Sequence, residues 1–176
     1  MKRIYFIRAA KAKGFYGAQS DYERTIKPKG LKEIKTIGSY LALHNISIDV
    51  ILSSYAQRAQ DTVVELDKIV SFSAKKQFLE ALYYQPCDEM IKIIKALDDE
   101  DKNLLIVGHY PQLNELINEL SSESINSIPN MGVVALEFDV EHWADLDRSG
   151  SNLDFFIYPK QFKYYMPDQI RTRLAL

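Results

Sequence analysis

The stretch Ile4-Tyr5-Phe6-Ile7-Arg8-Ala9-Ala10-Lys11 is the part of the sequence that decides the fold. An apolar run ends abruptly in an arginine, as a buried strand does when it carries a charge to the rim of a sheet. Two further apolar runs, residues 50–52 and 104–107, also lead directly into polar residues. Because open α/β sheets bind ligands at the carboxyl ends of their strands, we expect the residues that follow these runs to converge.

Short apolar runs alternate along the chain with longer segments of helical periodicity, which indicates an α/β fold. We expect a three-layer sandwich, in which helices flank a mostly parallel central sheet. The periodicity predicts strands over residues 4–7, 50–52, 76–79 and 104–107, and helices over 29–43, 56–70 and 88–97, with Pro111 as the first residue of a further helix. Antiparallel strands over residues 133–138 and 153–157 are expected near the C-terminus, at one edge of the sheet.

Composition and length place the chain among ordinary globular proteins. The 176 residues, of which 47% are hydrophobic and 26% charged, are enough for one domain over residues 1–176 with a full core. A net charge of −2 gives no bulk reason to expect nucleic acid or a membrane as a partner. The single cysteine, Cys87, fits a reducing compartment. The N-terminal apolar run is too short for a signal peptide or a span, so we expect a cytoplasmic protein.

Three side chains near the predicted strand ends are candidates for chemistry: Arg8, Arg58 and His109. Arginine suits a phosphoryl group because its planar fork binds phosphate oxygens bidentately and stays charged. Arg58 also lies in the first turns of a predicted helix, whose N-terminal N–H groups favour an anion. Gly108, just before His109, would let the backbone approach a ligand. If its segment stood alone, Arg58 would be interpreted as a solvated helix charge, and a cap of the next helix is the alternative for His109.

The three segments together resemble the histidine phosphatase superfamily, most closely its small SixA-type phosphohistidine phosphatases. Residues 8–11 (RAAK) resemble the family's Arg-His signature, and residues 52–62 (LSSYAQRAQDT) and 107–111 (VGHYP) resemble its second and third motifs. In that family the histidine after the arginine is the nucleophile, so the resemblance implies that Ala9 occupies the nucleophile position. It also implies that Arg8, Arg58 and His109 contact the phosphoryl group, with His109 as a cation that stabilises developing charge.

The resemblance extends to an early loop, residues 21–24 (DYER), which precedes residues 28–30 (PKG). It implies that Arg24 and Asp21 are phosphate or substrate contacts at the rim, with a loop salt bridge as the alternative for Asp21. Many relatives use a carboxylic acid to protonate the leaving group, and Glu80 is the best-placed candidate, with an exposed glutamate as the alternative. Tyr110 stands where the family usually has asparagine, so contacts outside the phosphate pocket are expected to differ. No metal and no cofactor are implied.

The implied activity is a phosphatase that works through a phosphohistidine enzyme intermediate. The short length favours phosphohistidine in a signalling or phosphotransfer protein as substrate, and a small phosphate ester is the alternative. Alanine has no nucleophilic atom, and Lys11 matches the family's usual lysine rather than a replacement nucleophile. The chain as written is therefore expected to hold phosphate or another oxyanion and to be almost inactive. The intact Arg8, Arg58 and His109 favour an engineered deletion at Ala9, and a natural phospho-ligand-binding pseudoenzyme is the alternative.

Two histidines and the C-terminal tail match none of these motifs. His44 closes a predicted helix and His142 neighbours Trp143, so both are predicted to be structural or exposed. The tail after Pro159 is rich in tyrosine, lysine and arginine and lacks a clear period. We expect a partly ordered terminus there, with a docking segment as the alternative.

Overall fold

The computed structural model of the chain describes residues 1–14 and 20–165. Its strands are Lys2–Arg8 (β1), Val50–Ser54 (β2), Lys75–Leu79 (β3), Asn103–Gly108 (β4), Val133–Phe138 (β5) and Ser151–Ile157 (β6). Its α-helices are Pro28–Leu43 (α1), Gln57–Val70 (α2), Ala81–Tyr84 (α3), Cys87–Lys95 (α4), Gln112–Leu120 (α5) and Pro159–Tyr165 (α6). Short 3-10 turns lie at Asp21–Glu23, Trp143–Asp145 and Arg148–Gly150.

The six strands form one sheet in the order β3-β2-β4-β1-β5-β6. Strands β1 to β4 are mutually parallel, whereas β5 pairs antiparallel with β1 and β6 pairs antiparallel with β5. The sequence-based prediction of a mostly parallel sheet with antiparallel strands near the C-terminus is therefore confirmed. The central pair is β1 and β4, and its register sets Arg8 opposite Gly108. This register brings the first and third sequence motifs side by side.

The alternation of side chains along β1 explains the three layers. Tyr5 and Ile7 pack into one core cluster, and Ile4 and Phe6 pack into another on the opposite face. Successive strand residues point to opposite faces, so a strand that is apolar at every position needs cover on both. Buried residues of α1, α2 and α6 supply that cover on the first face, and those of α3, α4 and α5 supply it on the second.

The structure departs from the predictions at three places. Helix α3 was not predicted. No helix was predicted in the tail either, yet Pro159–Tyr165 form α6, with Phe162 buried against the ring of Tyr40 at 5.4 Å between centroids. Residues 166–176 lie outside the described residues. Pro111 precedes α5 by one residue instead of opening it, although its carbonyl accepts a hydrogen bond from Glu115 N (3.0 Å). No helix among the described residues is both long and apolar enough to cross a membrane.

Candidate active site

The backbone of Ala9 is fixed from several directions at the carboxyl edge of the sheet. Ala9 N donates to Gly108 O (2.9 Å), which continues the β1–β4 pairing by one residue. Its carbonyl accepts a hydrogen bond from Asn130 Nδ2 (2.8 Å), and Met131 N donates to Arg8 O (2.9 Å). Ala9 itself is 2% exposed. Position 9 is thus a rigid, enclosed point directly beside the strand that leads to His109.

Thr62 joins helix α2 to the segment that follows β1. Its Oγ1 accepts a hydrogen bond from Ala10 N (3.1 Å) and donates to Arg58 O (2.6 Å). The hydroxyl is fully buried, so both bonds form away from water. The Thr62 side chain therefore links the backbone of Arg58 to the backbone next to position 9. Thr62 therefore holds the Arg58 backbone and does not only pack.

Arg8 is half-buried at the end of β1. Its Nη1 donates to Ile128 O (2.8 Å), and its guanidinium lies over the ring of Tyr110, with Cζ 5.4 Å from the centroid. Burial lowers the pKa of Arg8, but a guanidinium stays charged at physiological pH. These contacts engage only part of its fork of five N–H donors, so Arg8 retains capacity to bind an anion.

Asp21 connects the early loop to the arginine of the second motif. Arg58 Nη2 donates to Asp21 Oδ2 (3.0 Å) and Arg58 Nη1 donates to the Asp21 carbonyl (2.9 Å). Arg24 Nη1 donates to Asp21 Oδ1 (2.7 Å), and the Tyr83 hydroxyl donates to Oδ2. Burial raises the pKa of Asp21, but the hydrogen bonds from Tyr83 and Arg24 and the charge of Arg58 outweigh it and hold the pKa at about 2.

The charge of Asp21 decides between the two interpretations of that residue. A carboxylate that stays ionised would repel a phosphoryl oxygen, so Asp21 is poorly suited to contact phosphate directly. Its contacts are instead those of a salt bridge that orients Arg58 and Arg24. Arg24 is further held by Lys13, whose carbonyl accepts from Arg24 Nε (2.7 Å).

His109 is the most deeply buried titratable side chain of the site, at 8% exposure. Its Nε2 is buried and has no hydrogen-bond partner among the described residues. Burial, together with the charges of Arg58 and Arg8, lowers the pKa of His109 to about 3, although the carboxylate of Asp21 acts in the opposite direction. The ring is therefore neutral at neutral pH in the unliganded protein. The cationic role that the resemblance implies requires a bound anion to raise this pKa.

Tyr83 is a residue of the site that the sequence interpretation missed. Its ring meets the ring of His109 edge-on at 5.3 Å between centroids, and the guanidinium of Arg58 lies over it at 5.7 Å. With its hydroxyl on Asp21, Tyr83 contacts three members of the cluster. Tyr83 lies three residues beyond Glu80, the residue that the sequence indicated as a candidate acid. Among the described residues, Glu80 is exposed and makes no side-chain hydrogen bond or ion pair. Because Glu80 and Tyr83 are about one helical turn apart, they are neighbours on a helix surface, and this spacing was the sequence signal for Tyr83.

Other residues singled out in the sequence lie outside the cluster. Gly108 borders the cluster through its carbonyl, which accepts from Ala9 N, and it packs on helix α5, since a Cβ there would lie 3.2 Å from Leu113 Cδ1. His44 is exposed, with its Nδ1 2.9 Å from Tyr40 O. His142 is exposed and paired with Asp99 (2.8 Å). The structure therefore brings together Arg8, Ala9, Arg58 and His109, links Asp21 and Arg24 to them, and leaves Glu80 apart.

Comparisons of sequence find only relatives of unassigned function. No protein-family model matches the chain. An uncharacterised protein of Mycobacterium leprae is 27% identical over 157 residues, which cover 84% of this chain and 94% of that protein. An uncharacterised protein of Mycobacterium tuberculosis is 27% identical over 151 residues, which cover 80% and 92%.

Comparisons of structure find the fold of known phosphatases. The protein histidine phosphatase SixA in complex with tungstate superimposes with a TM-score of 0.78 at 20% identity, over 91% of this chain and 99% of that one. A SixA structure from Nakamurella multipartitia gives a TM-score of 0.78 at 24% identity, over 90% and 96%. The α-ribazole phosphatase of Shigella flexneri gives 0.67 at 14% identity, over 89% and 96%. The chain therefore has the α/β fold that these histidine phosphatases share.

Proposed function

We propose that this protein is a phosphatase of the SixA type, which removes phosphoryl groups from phosphohistidine in a signalling or phosphotransfer protein. The observation that carries the proposal is the buried Nε2 of His109, which has no partner within residues 1–14 and 20–165, in a site where the charges of Arg8 and Arg58 both act on that ring. A buried polar atom without a partner costs free energy, and an oxyanion between the arginines would supply the missing contact. The tungstate bound by the structurally similar SixA is a tetrahedral oxyanion, which supports the same ligand chemistry here.

With histidine at position 9, the reaction would run in two displacements. A ring nitrogen at position 9 forms a bond to phosphorus while the bond to the substrate's imidazole nitrogen breaks. The substrate ring already carries a proton on its other nitrogen, so it keeps the electron pair of the broken bond and leaves as neutral imidazole. Water then attacks the phosphohistidine intermediate, releasing phosphate and restoring the free ring. Arg8 and Arg58 neutralise the charge on the equatorial oxygens in both steps. The imidazole leaving group needs little protonation, which agrees with the position of Glu80 apart from the cluster.

The chain as written should bind the phosphoryl group without transferring it. Ala9 offers no lone pair, and in a well-studied protease the loss of the nucleophile costs on the order of a millionfold in kcat. We favour an engineered deletion at this position because Arg8, Arg58 and His109 remain assembled around it. The same assembly also fits a natural protein that binds phosphorylated ligands without catalysis. A phosphatase of small phosphate esters is a further alternative, since similar structures include the α-ribazole phosphatase.

One substitution separates these functions. Ala9→His and the unchanged chain would each be assayed for release of phosphate from a phosphohistidine-containing phosphotransfer protein and from p-nitrophenyl phosphate. We expect Ala9→His to hydrolyse the phosphoprotein and the unchanged chain to be inactive. Activity on the ester alone would favour an ester phosphatase. If Ala9→His is folded but inactive on both substrates while the unchanged chain binds phosphate, the protein is a binding module.

A further inference from the structure

A group of basic residues borders the candidate site on the side of the early loop. Ala12 and Ile26 form an isolated antiparallel bridge, and both are buried. The bridge is extended by bonds from Lys13 N to Thr25 O (2.8 Å) and from Lys27 N to Lys11 O (2.9 Å). Because side chains alternate along extended backbone, the residues flanking two buried ones point away from the core. Lys11 and Lys13 are accordingly exposed, and Lys27 is partly exposed.

Backbone contacts and proximity in the chain connect these lysines to the candidate site. Lys11 follows Arg8 by three residues, and the Lys13 carbonyl accepts from Arg24. Arg24 in turn shares the carboxylate of Asp21 with Arg58. The four residues Lys11, Lys13, Arg24 and Lys27, which we call the basic collar, therefore lie beside the mouth of the site.

The charge around the collar differs sharply from that of the whole chain. Residues 8–33 hold seven arginines and lysines against three acids, although the net charge of the protein is −2. Two of these acids are already engaged, Asp21 with its two arginines and Glu33 with Lys29 at 3.8 Å. Even when the third acid, Glu23, is also counted against a basic residue, four of the seven positive charges remain. The collar thus keeps a local excess of positive charge.

Negative charge is concentrated elsewhere on the molecule. Residues 98–101, just before β4, and residues 139–147, just after β5, hold eight acids and no arginine or lysine. The strand pairing places both segments at the amino edge of the parallel strands, opposite the site. On the carboxyl edge, the acids Glu80, Asp88 and Glu115 belong to the side built by α3, α4 and α5. In the part of the chain that the structure describes, the excess of positive charge at this edge therefore lies on the side of the early loop.

We propose that the basic collar binds an acidic protein surface on one side of the substrate's phosphoryl group. The inference rests on the proposed function, and it deepens that function by specifying the partner. A small phosphate ester would occupy the pocket without reaching Lys11 and Lys13, whereas a protein carrying the phosphoryl group extends over the rim. Complementary charges at a rim steer association and fix orientation, and they are screened by salt. The acids on the side of α3, α4 and α5 repel an acidic partner, so the partner is oriented toward the collar.

The test uses the chain as written, which cannot consume its ligand. The probes are three fluorescent peptides that contain a non-hydrolysable phosphohistidine analogue. The analogue is flanked by a run of glutamates on its amino side in the first, by the same run on its carboxyl side in the second, and by glutamines in the third. A fourth peptide has glutamates but no phosphoryl analogue. Binding is measured by anisotropy for the unchanged chain, for Lys11→Gln with Lys13→Gln, and for Lys92→Gln with Lys95→Gln. The last pair makes the same charge change on α4, where Lys95 lies within electrostatic reach of Asp147.

We expect one glutamate-flanked phosphopeptide to bind roughly three- to tenfold more tightly than the glutamine-flanked one at low salt. The preference should disappear in the Lys11→Gln, Lys13→Gln variant and at high salt, and should survive in the Lys92→Gln, Lys95→Gln variant. Equal affinity for the three phosphopeptides would overturn the collar and leave the phosphoryl pocket standing. An equal loss of the glutamate preference in the Lys11→Gln, Lys13→Gln variant and in the Lys92→Gln, Lys95→Gln variant would have the same meaning. Binding that needs the glutamates but not the phosphoryl analogue would keep the collar and contradict the proposed function. Absence of binding by any peptide would contradict both.

Discussion

At the scale of single residues, Asp21 is the centre of the site's electrostatics although it is not suited to touch the ligand. Three donors from different parts of the chain, Arg24, Arg58 and Tyr83, meet on its carboxylate. Since ionisation of Asp21 is what attracts them, its lowered pKa measures how strongly the folded state favours the charged form. This makes Asp21 a test of the site's organisation that does not depend on catalysis.

Asp21→Asn should destabilise the protein in a pH-dependent way. A carboxyl whose pKa falls from 3.8 to about 2 on folding stabilises the folded state above the unfolded value and loses that stabilisation as pH falls through about 2. We expect the free energy of unfolding at neutral pH to fall by about 1–2 kcal/mol, after allowance for partial solvent exposure. Urea unfolding at several pH values measures this difference, which should shrink between pH 3.8 and about 2.

The matched control for that substitution is Asp139→Asn, which removes the same charge from an exposed position. Its effect on the unfolding free energy should stay within about 0.5 kcal/mol at every pH. Equal effects of the two substitutions would mean that net charge, and not the arginine and tyrosine contacts, stabilises the early loop.

His109 should change its protonation state when an oxyanion binds. In the unliganded protein its pKa is about 3, so the ring is neutral. A dianion beside it would favour the cation and raise the pKa toward the ordinary histidine value of 6.5. Sulfate is a suitable probe because it stays a dianion over this range. We expect its affinity to increase as pH falls through the bound-state pKa of His109. NMR titration of the ring with and without sulfate measures both values.

His109→Gln is the control for this titration, since it should bind sulfate more weakly and without that pH dependence. A His109 ring that titrates identically with and without sulfate would contradict the proposed contact between Nε2 and the anion.

At the scale of elements, the start of helix α1 depends on the absence of one side chain. A Cβ on Gly30 would lie 2.7 Å from Ile26 Cγ2 and 2.9 Å from the Lys11 carbonyl. The second contact is with backbone that also bonds to Lys27 N, so it cannot move aside freely. Gly30 therefore lets α1 pack directly on the segment that leaves the site.

Gly30→Ala should destabilise the protein even though alanine is the better helix former. The overpacking cost of about 1–3 kcal/mol exceeds the gain in helix propensity of about 1 kcal/mol. Gly150→Ala is the matched control, because nothing lies within 4 Å of a Cβ at that position. Denaturant unfolding should show a loss for the first variant and a change within about 0.5 kcal/mol for the second. Equal stabilities would show that α1 can shift away from Lys11 without cost.

The elements that the sequence predicted correctly are those with a strong local period. Apolar runs such as residues 104–107 identified the central strands because both faces of the sheet are covered. Helix α3 and the N-terminal part of the tail were missed for a different reason. Four residues are too few to show a helical period, and α6 depends on the packing of Phe162 against Tyr40. Such elements are determined by tertiary contacts that local patterns do not contain.

At the scale of the whole molecule, the candidate site also has residues that local sequence patterns identified and residues that depend on tertiary contacts. The sequence identified Arg8, Arg58 and His109 because each follows a recognisable strand, and parallel strands end at a common edge. It did not identify Tyr83 or Asn130, whose contacts with Asp21 and with the Ala9 carbonyl join segments distant in the chain. Nor does a net charge of −2 reveal the separation of charge between the two edges of the sheet. These properties arise only when the chain folds.

We infer that this fold holds a phosphoryl-transfer site whose attacking atom is missing at position 9. The most direct measurement is capture of a radiolabelled phosphoryl group from a phosphohistidine protein in a single turnover. Ala9→His should acquire an acid-labile label at position 9, and the additional substitution Arg58→Ala should reduce the rate of capture by about two to three orders of magnitude. The unchanged chain should acquire none. A label on the unchanged chain, or a folded Ala9→His protein that acquires none, would contradict the claim.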